Sequence, residues 1–459
     1  MSEFMNNNET VELTSSAKQL ALRLQAHPNI SARVLSLLDI VENRDRMDET
    51  ASGTELSIVS ELQKLGKDAL QDWGNSQEKK KAKACEKLPS MRRQRKKRLH
   101  WHSLFGTIQV IEQTYYNTSD GKVVRSFSDS AQIHCRGYSL PLQRAITDFG
   151  ADVSFGRIPE KLQEHYGITV PISSAQVITQ KHARVVKKSQ ELTEKIPEID
   201  GVELLITEMD GTMIPIVKTT GQTNEELRGD RRKNRELSWK EARLSLVEIP
   251  GEKKSIIGDT VGTVNDAGNQ LLHSAIRAGL GSNTRVHAIG DGASWIVNQV
   301  KRLFGERASY LIDFYHLCEY LAAAAPGNEK QQKNWLKQQK QDFKKNQVLK
   351  VLKNLSTCME PEHLADKFAP VRVCTRYIKN RLEYLDYKSA IDADLPIGSG
   401  KIESAHRYVI QNRLKLTGSW WTVEKADDML ALRILRVNND WQSYWFNYYQ
   451  EKSSSAQAV

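Results

Sequence analysis

The chain has 459 residues, a formal charge of +10 and 27% charged side chains. That length allows about two to four domains, and the basic balance favours a polyanionic partner. No apolar run approaches the ~20 residues of a membrane helix, and the start, MSEFMNNNET, has neither the basic residues nor the apolar stretch of a secretory signal.

Residues 1–77 read as a helical N-terminal region, because Leu13, Leu20, Leu24, Val34, Leu37, Leu38 and Val41 recur near helical spacing, as do Leu56, Val59, Leu62, Leu65 and Leu70. Residues 78–135 follow as a basic linker and a small hairpin. The run Arg92-Arg93-Gln94-Arg95-Lys96-Lys97-Arg98 repels itself, so it is expected to be either a solvated linker or an arm lying on phosphates. The alternation from Gly106 to Tyr116, the Asp120-Gly121 turn signal and Val123-Val124 give the hairpin.

Residues 136–198 turn helical, with helices expected over 140–149, 158–166 and 175–186. Gly167 would end the second, and Ser173 or Ser174 would cap the third, the arrangement of a helix-turn-helix. Its last helix would present Gln176, Thr179, Gln180 and Arg184 on one face, either to DNA or to ordinary packing.

From 199 to 318 strands alternate with helices. Strands are expected at 202–207 and 212–217, broken by Asp210-Gly211, then at 242–249, 286–289 and 310–312, with helices over 270–278 and 295–304. Three hairpin strands followed by helix, strand, helix and strand is the order of an RNase H-like sheet. Residues 319–395, rich in Lys, Gln and Leu, read as an all-helical insertion; 396–450 return to the core as helix, and 451–459 as a disordered tail. The expectation is a multidomain α/β protein with an RNase H-like mixed sheet, a helical insertion, and helical and helix-turn-helix regions before it. The five cysteines stand singly with no CxxC pair, which argues against structural zinc and disulfides and fits a reducing cytoplasm.

Three acidic residues stand beside small residues near element ends: Asp210 in Met209-Asp210-Gly211, Asp291 in Gly290-Asp291-Gly292, and Glu403 after Gly398-Ser399-Gly400. The first and fourth strands of such a sheet are neighbours, so Asp210 and Asp291 would converge. Three clustered carboxylates repel unless cations neutralise them, and hard oxygen donors suit Mg²⁺, with Mn²⁺ as a substitute. Two ions there could activate a water or a 3′-hydroxyl and stabilise the leaving oxygen of a phosphoryl transfer. Arg407, Arg413 and Lys415 follow Glu403, where phosphate contact competes with an intrahelical Glu403–Arg407 pair. Trp420 and Trp421 read as buried packing in preference to base stacking.

The runs Thr207 to Pro215, Trp239-Lys240-Glu241-Ala242-Arg243, Gly290 to Ile296, Asp313-Phe314-Tyr315-His316 and Gly398 to Glu403, with Arg413 and Trp420-Trp421 beyond, resemble DDE transposases of bacterial insertion sequences. The group resembled is the Kra-type one, akin to the eukaryotic Mutator-like transposases, and the likeness covers about 200–440. It implies that Asp210, Asp291 and Glu403 are catalytic metal ligands and that Asp313 and His316 support them beside the DNA. One departure is that Asn117 to Gly121 has no Cys pair, where relatives often carry one.

The resemblance implies metal-dependent cleavage at transposon ends and transfer of the 3′-hydroxyl into target double-stranded DNA, by a homodimer or larger assembly in the bacterial cytoplasm at the nucleoid. Candidate DNA contacts are Arg92, Arg93, Arg95, Lys96, Lys97, Arg98, Gln176, Thr179, Gln180, Arg184, Arg407, Arg413 and Lys415. The alternatives are a structure-selective nuclease with the same carboxylates and a dormant DNA-binding regulator.

Overall fold

The computed structural model describes residues 15–42, 50–133, 137–190, 195–219 and 235–457. The chain is a mixed α/β protein with two sheets. It divides into two compact units: Met1–Gly150 with Phe155–Thr179 and Trp445–Val459, and Ala151–Ser154 with Gln180–Tyr444. No helix among the described residues is long and apolar enough to cross a membrane.

In the first unit, α1 (Ser15–Gln25), α2 (Pro28–Glu42) and the 36-residue α3 (Ala51–Glu86) come before a three-stranded antiparallel sheet of β1 (Met91–Ser103), β2 (Gly106–Asn117) and β3 (Val123–Arg125). The basic run, expected as a linker or arm, is therefore an edge strand, and the helix before it reaches Glu86. Period-two burial in Leu99, Trp101 and Ser103 anchors the strand, although Arg92 to Arg98 are all exposed. Its register slips between Arg93 and Lys96, and the carbonyls freed there accept hydrogen bonds from the Gln113 amide and the Thr114 hydroxyl. The rings of Trp73, Trp101 and Phe127 pack where α3 meets the sheet.

After β3 come α4 (Leu140–Asp152), α5 (Ile158–Tyr166) and α6 (Ile172–Ser189). Gly167 closes α5 in the left-handed conformation, as its sequence position suggests.

The second unit is built on a five-stranded sheet in the order β6-β5-β4-β7-β8. β4 (Leu204–Thr219), β5 (Arg235–Glu248) and β6 (Ser255–Thr260) are antiparallel, while β7 (Arg285–Gly290) and β8 (Ala308–Ile312) join β4 in parallel. The expected break at Asp210-Gly211 does not exist. β5 pairs with β4 from Ile206 to Thr219, and that ladder carries the strand straight through the Asp-Gly pair. α7 (Val264–Arg277) packs on β5 and β6, and α8 (Ser294–Phe304) on β7 and β8.

After β8 come α9 (Phe314–Ala323), α10 (Glu329–Lys344), α11 (Val348–Ser356), α12 (Pro370–Lys379) and α13 (Tyr387–Asp392). They enclose their own core around Leu317, Phe343, Leu355, Cys374 and Tyr387. α14 (Gly400–Ala405) then packs on β4 and β5 and continues as a π-helical segment, His406–Gln411. α15 (Val423–Val437) covers β6, and the amide of Asn438 exchanges hydrogen bonds with the Ile257 backbone on that strand. α16 (Trp441–Gln457) includes residues 451–457, which were expected to be disordered.

Candidate functional site

The β4–β7 register sets the site. Glu208 lies opposite Ile289, an offset of 81 residues (289 − 208), and Asp210 and Asp291 have the same offset (291 − 210). Extending the parallel ladder by two residues therefore sets these carboxylates side by side on one face, with neighbouring strands ~4.8 Å apart. Asp210 is half-buried within β4, and Asp291 is the first residue after β7. Burial pushes the Asp210 carboxyl up to about 6, with the charges of Asp291, Glu403 and Glu241 adding to the effect; a hydrogen bond from Gly211 N–H (2.7 Å) to Oδ1 opposes it. Glu403 thus lies within electrostatic reach of Asp210, from an exposed position on α14.

The loop after Asp291 is held from several sides. Asp291 Oδ1 accepts from Ala293 N–H (2.7 Å), and its carbonyl accepts from the Tyr377 hydroxyl (2.7 Å). Arg381 Nε donates to Gly292 O (3.0 Å), and Gly292 N–H donates to the Tyr310 hydroxyl (3.2 Å).

The stretch that carries Glu403 is fastened more tightly still. His287 of β7 reaches Pro396 O (2.9 Å), Phe314 N–H donates to Ile397 O (2.8 Å), and Asp313 Oδ2 accepts from both N–H (2.6 Å) and hydroxyl (2.5 Å) of Ser399. Oδ1 of the same Asp313 caps α9 by accepting from Tyr315 and His316 N–H (2.6 and 3.0 Å). Glu208, two residues before Asp210 on the same strand face, accepts from Ile402 N–H (2.8 Å), and Lys401 pairs with Glu248 (2.6 Å). Burial raises Glu208 to about 7.

Asp313 is buried, and its two oxygens accept from protein donors on both sides, so it mounts the Glu403 helix. His316 is partly exposed, 3.5 Å from Glu319, with its ring edge-on to Tyr320 and Tyr377.

Among the expected DNA contacts, Arg92, Arg95, Lys96, Lys97 and Arg98 are exposed on β1, while Arg93 is engaged with Gln113 and Glu86. Gln176 and Gln180 are half-buried. Thr179 is fully buried, with its hydroxyl bonded to Ala175 O, so it cannot reach a base. Arg184 is exposed and paired with Glu424 (2.6 Å). Arg407 is exposed, but Arg413 is buried over the Trp421 ring, where desolvation lowers it to about 10. Lys415 donates to the Thr212 hydroxyl (2.7 Å), two residues beyond Asp210 on β4. Trp421 is buried, and Trp420 lies exposed beneath the Arg235 guanidinium.

The sequence reading missed Glu208, Ser399, Tyr377 and His406. Strand alternation from Asp210 points to Glu208, and helical spacing from Glu403 points to His406. His406 is 3% exposed, and its Nε2 lies 3.2 Å from Asp210 Oδ2.

Among the described residues, no three His, Cys, Asp or Glu side chains are already gathered to metal-ligand distances. The donor types nevertheless fit a hard divalent cation: three carboxylates, one of them raised by burial and, to a lesser degree, by the charge of the other two.

Residues 280–443 match a family described as an uncharacterised protein family, UPF0236. The matched span includes Asp291, Asp313, Glu403 and His406 but not Asp210. The chain is also 24% identical over 324 residues to the "UPF0236 protein in vanSb 3'region" of Streptococcus gallolyticus, covering 70% of this chain and 68% of that protein.

Proposed function

We propose that the protein is a DNA transposase with an RNase H-like core in which Asp210, Asp291 and Glu403 hold divalent cations. The observation that carries this reading is the β4–β7 register, which ends at Glu208 and Ile289, two residues short of Asp210 and Asp291, with Asp291 and Glu403 both in electrostatic reach of Asp210. In support, three antiparallel strands are followed by two parallel ones, in the order β6-β5-β4-β7-β8, as an RNase H-like frame requires, and the helices α9 to α13 follow β8, where the insertion is expected.

Mg²⁺ bound there would supply Lewis-acid activation of an attacking oxygen and stabilisation of the leaving one. The chain's own part is positioning. β4 and β7 fix two carboxylates, and Asp313, Glu208 and Lys401 fix the helix that brings the third. Lys415, beside Thr212, contributes positive charge for a phosphate. The exposed cations of β1 bind DNA through its backbone without reading sequence. Strand transfer uses the freed 3′-hydroxyl, so no covalent protein–DNA bond is required, and two ends imply at least two copies on DNA.

The test is to incubate purified protein and Mg²⁺ with duplexes carrying the element's ends. Wild type cleaves them and joins a 3′ end to a second DNA, whereas Asp210→Ala loses cleavage and keeps DNA binding. Cleavage without joining would reassign the protein as a nuclease, and cleavage by Asp210→Ala would remove the metal assignment.

A further inference from the structure

We propose that His406 is the positioning residue for Asp210: its Nε2–H orients the Asp210 carboxylate from behind and ties it to the helix that carries Glu403. This rests on the metal-binding reading above and extends it to a residue which that reading does not use. His406 lies one helical turn beyond Glu403 and opens the π-helical segment His406–Gln411. A π turn is rare and resets the direction of the side chains that follow, which is why such turns recur at functional sites.

The ring is 3% exposed and faces Asp210: Nε2 stands 3.2 Å from Oδ2, close enough for a hydrogen bond but not aligned as one. A buried polar ring in that state is costly unless a partner completes it. In its neutral form the imidazole has one N–H to give. Gly211 N–H already holds Oδ1 (2.7 Å). With His406 at Oδ2, both oxygens are oriented, and each keeps a lone pair for a cation. Outer groups of this kind typically contribute 10–100-fold in metal affinity.

The experiment is calorimetric titration of Mn²⁺ into the full, DNA-free chain, for wild type, His406→Phe, His406→Gln and Asp210→Asn. His406→Phe should weaken Mn²⁺ binding by ~10–100-fold. His406→Gln should recover most of the loss, since its amide N–H reaches the Nε2 position. If His406→Phe fails to give a cooperative melt, His406→Asn, whose amide stops near the Nδ1 position, replaces it with the same expectation. Wild-type affinity in His406→Phe, or equal weakness in His406→Gln, overturns the assignment while leaving the metal site standing. If wild type binds no Mn²⁺, or Asp210→Asn binds it undiminished, the metal-binding reading and this inference fall together.

Discussion

Asp313 shows how much a single carboxylate can carry. It is buried, and it accepts from Tyr315, His316 and Ser399 N–H and from the Ser399 hydroxyl. Asp313→Ala would orphan these donors at about 1–3 kcal/mol for each one left buried without a partner. We expect a loss of at least ~3 kcal/mol in urea unfolding. Asp259 on β6 makes a prediction of another kind. It is fully buried with both oxygens unpartnered, facing Lys187 and Asp427, and burial raises it from 3.8 to about 7. The folded state therefore holds this proton more tightly than the unfolded chain. Its stabilising contribution is complete below pH ~4 and is lost as pH rises through ~7. Asp259→Asn cannot suffer that loss, so its melting temperature should gain on wild type steadily from pH 4 to 7 and then level off; a constant difference would contradict the assigned shift. At this scale Asp210, Asp291 and Glu403 could be singled out because glycines stand near them, although Asp210 lies in mid-strand and not at an element end. The Asp-x-x-His spacing was legible as a motif, but the hold of Asp313 on Ser399 was not, because nothing local in the chain records that Ser399 returns to it.

At the scale of elements, local signals failed where long-range pairing took over. Asp210-Gly211 has the composition of a turn, yet β5 opposes it residue by residue, and Gly211 simply lies flat against Glu241. Arg92 to Arg98 have the composition of a solvated arm, yet the ladder with β2 and the Leu99-x-Trp101-x-Ser103 alternation make them an edge strand, where exposed charge also blocks edge-to-edge aggregation. The helix order from α4 to α8 was readable, because amphipathic periodicity and caps are local. Gly292 tests the loop that aims Asp291. It has φ +82, and an added Cβ would lie 2.5 Å from Ile312 Cδ1 and 2.7 Å from Arg381 Nε. Gly292→Ala should cost roughly 1–3 kcal/mol and displace Asp291. The expected readout is a lower melting temperature together with weaker Mn²⁺ binding; retention of both would show that the loop is tolerant.

For the whole molecule, no local pattern in the chain signals that residues 1–150, 155–179 and 445–459 gather into one unit, because packing between distant segments leaves no periodicity behind. The net charge of +10 was readable at once, and the structure gives part of it a place on β1. Replacing Lys96, Lys97 and Arg98 by alanine should weaken binding evenly across DNA sequences. It should also reduce the slope of log affinity against log salt by about 0.9 for each phosphate no longer neutralised. An unchanged slope would take DNA off that strand.

Three carboxylates from distant parts of the chain must share divalent cations if the protein is to work as proposed. Anomalous diffraction from crystals grown with Mn²⁺ tests this most directly. One or two peaks should bridge the carboxylate oxygens of Asp210, Asp291 and Glu403, at metal–oxygen distances of ~2.1 Å. Manganese bound elsewhere, with these three side chains apart and unbridged, would contradict it.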